Sequence, residues 1–202
     1  RADLSLNLPS PDAFLPDLSG SLEATLTAEG TPERPEGQLT ARGRELGWQD
    51  QLAIQTLNLD ARLGAGLSLE SRMEAATIRG FGQTLNALVV EANGTRDQHT
   101  VSIDAEHTEA GLTLAFDGGA GEAWQTWNGA LARGVINLPE QAQTWQLESP
   151  AAFAYGPSGA VTFGNHCWRW QQSTVCADDQ TLFPVPRIAY RINRFPTMAL
   201  GP

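Results

Sequence analysis

The sequence predicts an all-β chain, and three observations carry that prediction. Apolar and polar residues alternate with a period of two over most of the length, as strands with one apolar and one wet face require. The alternating runs are separated by breaks rich in glycine, proline and asparagine. Only one segment, Ser10 to Leu15, reads as helix.

The elements follow in order. Leu4, Leu6 and Leu8 open the first strand. Ser10 then stands as a capping residue before Pro11 at the first helical position, with Asp12 in the first turn, and Pro16 limits this helix to about one turn. Leu22, Ala24, Leu26 and Ala28 give the next strand, closed by the turn Gly30-Thr31-Pro32-Glu33-Arg34-Pro35. Leu57, Leu59, Ala61 and Leu63 lead to Gly64-Ala65-Gly66, after which Leu67 and Leu69 resume the alternation. Breaks at Gly80-Phe81-Gly82 and Asn93-Gly94 precede Val101, Ile103 and Ala105, and then Leu112, Leu114 and Phe116 run into Gly118-Gly119. Gly156-Pro157-Ser158-Gly159 is a later turn, and the spacing as a whole predicts roughly a dozen strands. The phase of the alternation changes near Thr56-Leu57 and Ala75-Ala76, where bulges are expected.

An apolar face that recurs along the whole chain has to be covered. The second sheet of a sandwich, a sheet curling over itself, or a bound apolar ligand would each serve. With 202 residues and no low-complexity linker, the chain reads as one continuous unit, residues 1–202, and as a segment of a longer protein. Net charge is -10, which sets the summed field against nucleic acid and anionic headgroups. No run of about 18 apolar residues occurs, so no helical membrane span is expected.

Catalytic chemistry has little to stand on, and the chain is not expected to be an enzyme. His99, His107 and His166 are scattered and lack the converging ligands of a metal centre. Asp178-Asp179 and Glu106 with Glu109 read as solvated charges rather than a general acid and base. The chain has no nucleophile elbow, phosphate loop or dinucleotide fingerprint, so no cofactor is expected. Asn93-Gly94-Thr95 matches a glycosylation acceptor but reads as a turn. Trp48, Trp124, Trp127, Trp145, Trp168 and Trp170 are spread over the chain and fit core or rim packing better than a sugar platform.

Cys167 and Cys176 are the only cysteines. Their spacing allows two short strands and a turn, with the two thiols facing across a hairpin, and a structural disulfide formed in an oxidising compartment is the expectation. A redox pair would ordinarily have two intervening residues and a helix.

Three stretches together resemble the TamB family. They are Asp17-Leu18-Ser19-Gly20-Ser21-Leu22 with Gly30 to Pro35 and Leu46-Gly47-Trp48-Gln49; Asn93-Gly94-Thr95 through Leu112-Thr113-Leu114 to Trp127-Asn128-Gly129-Ala130-Leu131; and Trp145-Gln146-Leu147 with Pro150, His166-Cys167-Trp168 and Val175-Cys176. The resemblance implies a middle-to-late segment of a long periplasmic protein of a Gram-negative bacterium, anchored in the inner membrane. It further implies an elongated, U-shaped sheet whose apolar groove moves phospholipid towards the outer membrane and supports outer-membrane protein assembly with TamA, a β-barrel partner.

Under that resemblance the groove would be lined by Leu22 and Leu26, by Leu57, Leu59 and Leu63, by Leu67 and Leu69, by Val101 and Ile103, and by Leu112, Leu114 and Phe116. Its ligands would be phospholipid acyl chains, and nucleic acid is not a partner. A chaperone-like scaffold that receives outer-membrane protein segments by strand addition is the alternative. An excised piece of a continuous sheet is also expected to hide free edges by pairing with a second copy. A carbohydrate-active or hydrolytic β-domain would rest only on the scattered acids and tryptophans.

Overall fold

A computed structural model describes residues 1–13, 17–31, 34–49, 51–80, 82–121 and 124–194. Strand makes up 74% of the described residues and helical turns 5%, and the sheet structure is open and antiparallel. The all-β expectation holds, with sixteen strands among the described residues where roughly a dozen were expected. The chain divides into two compact units, residues 1–95 with 101–108, and residues 96–100 with 109–202.

In the first unit the strands lie side by side in chain order. They are β1 (Ala2–Leu8), β2 (Leu18–Thr31), β3 (Arg34–Trp48), β4 (Leu52–Gly64), β5 (Ser68–Gly80) and β6 (Gln83–Gly94). Each is antiparallel to the next, and β7 (His99–His107) follows β6. Four of them reach 13 to 15 residues, far longer than ordinary strands, because the period-two pattern runs through them with little interruption.

The expected N-terminal helix is corrected to a 3-10 turn, Pro11–Ala13, and Phe14, Leu15 and Pro16 lie outside the described residues. Three residues close no α-helical hydrogen bond, and Pro11 removes a donor. Further 3-10 turns occur at Ala65–Leu67 and Pro139–Gln141, where glycine and proline break the alternation.

A line of irregularity crosses this sheet. The β2/β3 register shifts between Ser19 and Ser21, around Gly20 at φ 99°, and the ladder rungs at Glu45, Gln55 and Thr77 are unbridged. Glu45 and Thr77 have left-handed backbones, φ 52° and 50°. This line runs one to two residues from the places where the sequence changes phase. A left-handed residue resets the alternation, so Leu46 lies over Gly43 on the side of Leu57 rather than on the opposite side. A β-branched residue at positive φ is strained. Thr77→Gly is therefore expected to stabilise the chain by about 1 kcal/mol and Thr77→Val to destabilise it, as measured by denaturant midpoint at unchanged slope.

The second unit branches at β9 (Trp127–Leu138), which pairs with β8 (Gly111–Ala120) along one edge. Along its other edge, Trp127 to Leu131 pair with β11 (Ala151–Tyr155), and Val135 to Leu138 with β10 (Gln143–Leu147). One branch continues from β10 through β13 (His166–Trp170) and β14 (Ser173–Ala177) to β16 (Tyr190–Asn193). The other runs from β11 through β12 (Val161–Phe163) to β15 (Gln180–Phe183).

Here most of the buried side chains gather, among them Leu131, Ala151, Trp145 and Ala177, with the polar Gln143, His166 and Ser173. Each of these polar groups has a partner. Trp145 donates to Gln143 Oε1 at 3.0 Å, His166 Nδ1 meets the Gly164 carbonyl at 2.8 Å, and Ser173 donates to the Arg194 carbonyl at 2.9 Å. Gln180 is the exception, its buried amide having no hydrogen-bond partner among the described residues.

Candidate functional site

The register of the first unit sorts its side chains into two faces, because residues directly opposite on neighbouring strands point to the same side. One row runs Leu6, Ala24, Ala41, Leu59, Met73, Val90 from β1 to β6. Two residues along each strand lies the row Leu8, Leu22, Gly43, Leu57, Ala75, Leu88, and on its other side Leu4, Leu26, Leu39, Ala61, Ser71, Ala92. A fourth row, Ala2, Ala28, Gly37, Leu63, Leu69, Gly94, completes the set. Beyond the irregular line, Leu46, Ile54, Ile78 and Leu85 face one another across β3 to β6, and Leu46 carries that row onto the same side.

The reverse face is polar. Ser5, Thr25, Thr40, Asp60, Arg72 and Glu91 form one of its rows, and Asp3, Thr27, Gln38, Arg62, Glu70 and Asn93 another. Arg72 hydrogen-bonds Glu74 at 2.8 Å and pairs with Glu91, and these two carboxylates, Glu74 first, hold its guanidinium above its ordinary pKa. Such exposed pairs set register and solubility more than stability.

Four rows at about 6.7 Å spacing across six strands about 4.8 Å apart make an apolar face of roughly 20 by 24 Å. Most of its side chains are half-buried, and several at the β1–β2 edge are exposed. Among the described residues Ala75 is the one apolar strand side chain of this unit that is fully buried, whereas Leu4, Leu6 and Leu26 are 63, 44 and 40% exposed. Water against this many leucines is unfavourable by about 25 cal/mol per Å².

The twelve residues picked from the sequence fall in four places. Leu22, Leu26, Leu57, Leu59, Leu63 and Leu69 stand in the apolar rows. Leu67 stands in the β4–β5 turn with a left-handed backbone, φ 61°, and is 48% exposed, so it belongs to no row. Val101 and Ile103 are half-buried on one face of β7. Leu112, Leu114 and Phe116 share a face of β8 in the second unit, opposite Ile136, Gly134 and Leu131.

That β8 face is filled by the unit's own rings. Phe116 packs edge-on against Phe153 at 5.4 Å and Trp127 at 6.4 Å, Phe153 meets Phe163, and Phe163 stacks on His166 at 4.1 Å. The Trp168 ring lies over Gly134, where a side chain would collide with it. His99 Nε2 accepts the Trp127 indole N–H at 2.7 Å, which fixes both rings. Trp145 is buried and Trp48 and Trp124 are exposed, so the tryptophans are not uniformly core.

Sequence reading missed Leu39, Ala41, Met73, Leu88 and Val90, which complete the rows. On β3 small residues dilute the pattern, and on β6 the run Leu88-Val89-Val90 is apolar on both parities, so periodicity alone gives no face.

Cys167 and Cys176 face each other on β13 and β14 and form the expected disulfide. Closing so short a loop contributes about 2–3 kcal/mol in the chain-entropy account. Glu148 lies beside the two sulfurs, the one grouping of metal-capable side chains among the described residues, but the sulfurs are bonded to each other and Glu148 pairs with Arg169. Asp178 pairs with Arg191 at 2.5 Å and Asp179 accepts from the Asn165 amide at 2.9 Å, so this acidic pair has structural partners. Among the described residues no helix is long and apolar enough to cross a membrane.

Comparison with known proteins bears on this geometry. The family model described as TamB, N-terminal domain, matches residues 1–202. Matching the N-terminal domain corrects the expectation of a middle-to-late segment. No solved structure matches the chain. The match spans the whole sequence, and the chain belongs to the TamB family of bacterial envelope proteins, associated as a family with lipid transport and outer-membrane assembly rather than with catalysis.

Proposed function

We propose that the apolar rows of the first unit form a groove that holds phospholipid acyl chains in the periplasm. The observation that carries this reading is the continuous leucine and alanine face over β1 to β6, whose side chains, Ala75 apart, are half-buried or exposed rather than packed into a core. Its length along the strands, roughly 20 Å, exceeds the ~15 Å that one leaflet of acyl chains occupies in a bilayer core. The groove's rim stays wet, where a headgroup keeps its hydration.

Movement along such a surface makes and breaks no covalent bond. At about 0.8 kcal/mol per buried methylene, partial insertion retains a chain, and a lining without deep pockets lets it slide. Leucine, alanine and valine repeated over five rows supply near-uniform affinity. In this reading the chain serves the passage of lipid between inner and outer membranes, within a longer protein that is anchored in the inner membrane and works with a TamA-like barrel. The test is the phospholipid carried by the purified chain and its loss in Leu59→Asp. Retention of full lipid content by that variant would contradict the groove.

A further inference from the structure

The chain's charge is not evenly spread. All 23 acidic residues lie at or before Asp179, whereas Arg187, Arg191 and Arg194 lie beyond it. The same stretch is the longest exposed run among the described residues, since every residue from Phe183 to Arg194 is exposed. It includes five large apolar side chains open to solvent: Phe183, Val185, Ile188, Tyr190 and Ile192, each 52 to 66% exposed.

From these observations we infer that residues 183–194 of the second unit form a docking surface for an anionic phospholipid membrane. Arg187 and Arg194 have no ion pair among the described residues, while Arg191 shares Asp178 at 2.5 Å. Guanidinium groups match phosphate in bidentate geometry, and arginine stems lie along apolar surface while their heads stay in the polar layer. On β16 the alternation sets Tyr190 and Ile192 on one side and Arg191 on the other, so an edge-on strand presents both chemistries at once. Exposed aromatic and aliphatic side chains beside cations are the composition that seats at a headgroup layer. The chain as a whole is acidic, so attraction has to come from the charges local to this stretch, since salt screens the more distant acids. This surface uses no residue of the leucine rows.

The experiment is co-sedimentation of the chain with vesicles of phosphatidylcholine alone and of phosphatidylcholine mixed with phosphatidylglycerol. Binding is expected only to the mixed vesicles and is expected to weaken with salt. It should fall about fivefold for each of Arg187→Gln and Arg194→Gln, and fall again in Val185→Ser with Ile188→Ser. Circular dichroism checks that the variants keep their strands. Equal binding to both vesicles, no binding to either, or binding that both variant pairs leave unchanged overturns the proposal. Leu59→Asp, which empties the groove, is expected to keep vesicle binding, so the two readings fail separately.

Discussion

Aspartate at Leu59 is expected to lower the phospholipid carried by the chain at least tenfold while leaving its thermal unfolding close to that of the parent. Leu59 sits in the middle row, between Ala41 on β3 and Met73 on β5, and is only half-buried. A carboxylate there stays hydrated at little cost to the fold, but an acyl chain passing over it has to leave the surface. Lifting two methylenes off the lining costs about 1.6 kcal/mol, more than the roughly 1.4 kcal/mol that changes affinity tenfold. Asn58→Asp, on the polar face between Arg42 and Glu74, is the matched control and should change nothing.

Leu131→Ala is expected to do the reverse. Leu131 is 2% exposed, faces Phe116 on β8 and Ala151 on β11, and belongs to the closed core of the second unit. Its truncation removes transfer energy and leaves a cavity among rings held by their own edge-on contacts, a loss of about 3 kcal/mol. Thermal unfolding should shift down by about 6–12 °C, with lipid content per folded chain unchanged. A half-exposed Leu59→Ala should cost well under half as much. The contrast between the two leucines tests the proposed ligand surface against a core that fills itself.

Fold class and the apolar-row positions of six of the twelve picked residues were legible because they rest on a local pattern. Where leucine and alanine alternate with Asn, Asp and Arg, as from Leu57 to Leu63, the pattern names strand, face and phase together. The disulfide was legible for a similar reason, since eight intervening residues with a turn between them leave a hairpin as the simple geometry. Leu67 misled because a leucine two residues before Leu69 reads as the same face, whereas Gly66 and the left-handed backbone at Leu67 make the turn. Phe116 misled differently. Its parity on β8 is that of Leu112 and Leu114, but nothing local shows that Trp127 and Phe153 come back to cover it. The branching at β9, with one strand pairing β11 along one half and β10 along the other, depends on contacts far apart in sequence and leaves no periodic trace. The irregularities at Gln55 and Thr77 were half legible, as changes of phase near Thr56-Leu57 and Ala75-Ala76, whereas Glu45 left no such sign.

The groove is tested most directly by photocrosslinking in the cell, with the reactive side chain placed in turn at Leu57, Asn58, Leu59 and Asp60 of β4. Adjacent residues on this strand point to opposite faces, so the experiment reads the proposed geometry rather than proximity alone. Phospholipid attached at Leu57 and Leu59 and absent at Asn58 and Asp60 is the expected result. Adducts of equal yield at all four positions, polypeptide in place of lipid, or no adduct at Leu57 and Leu59 would contradict a lipid groove on this face.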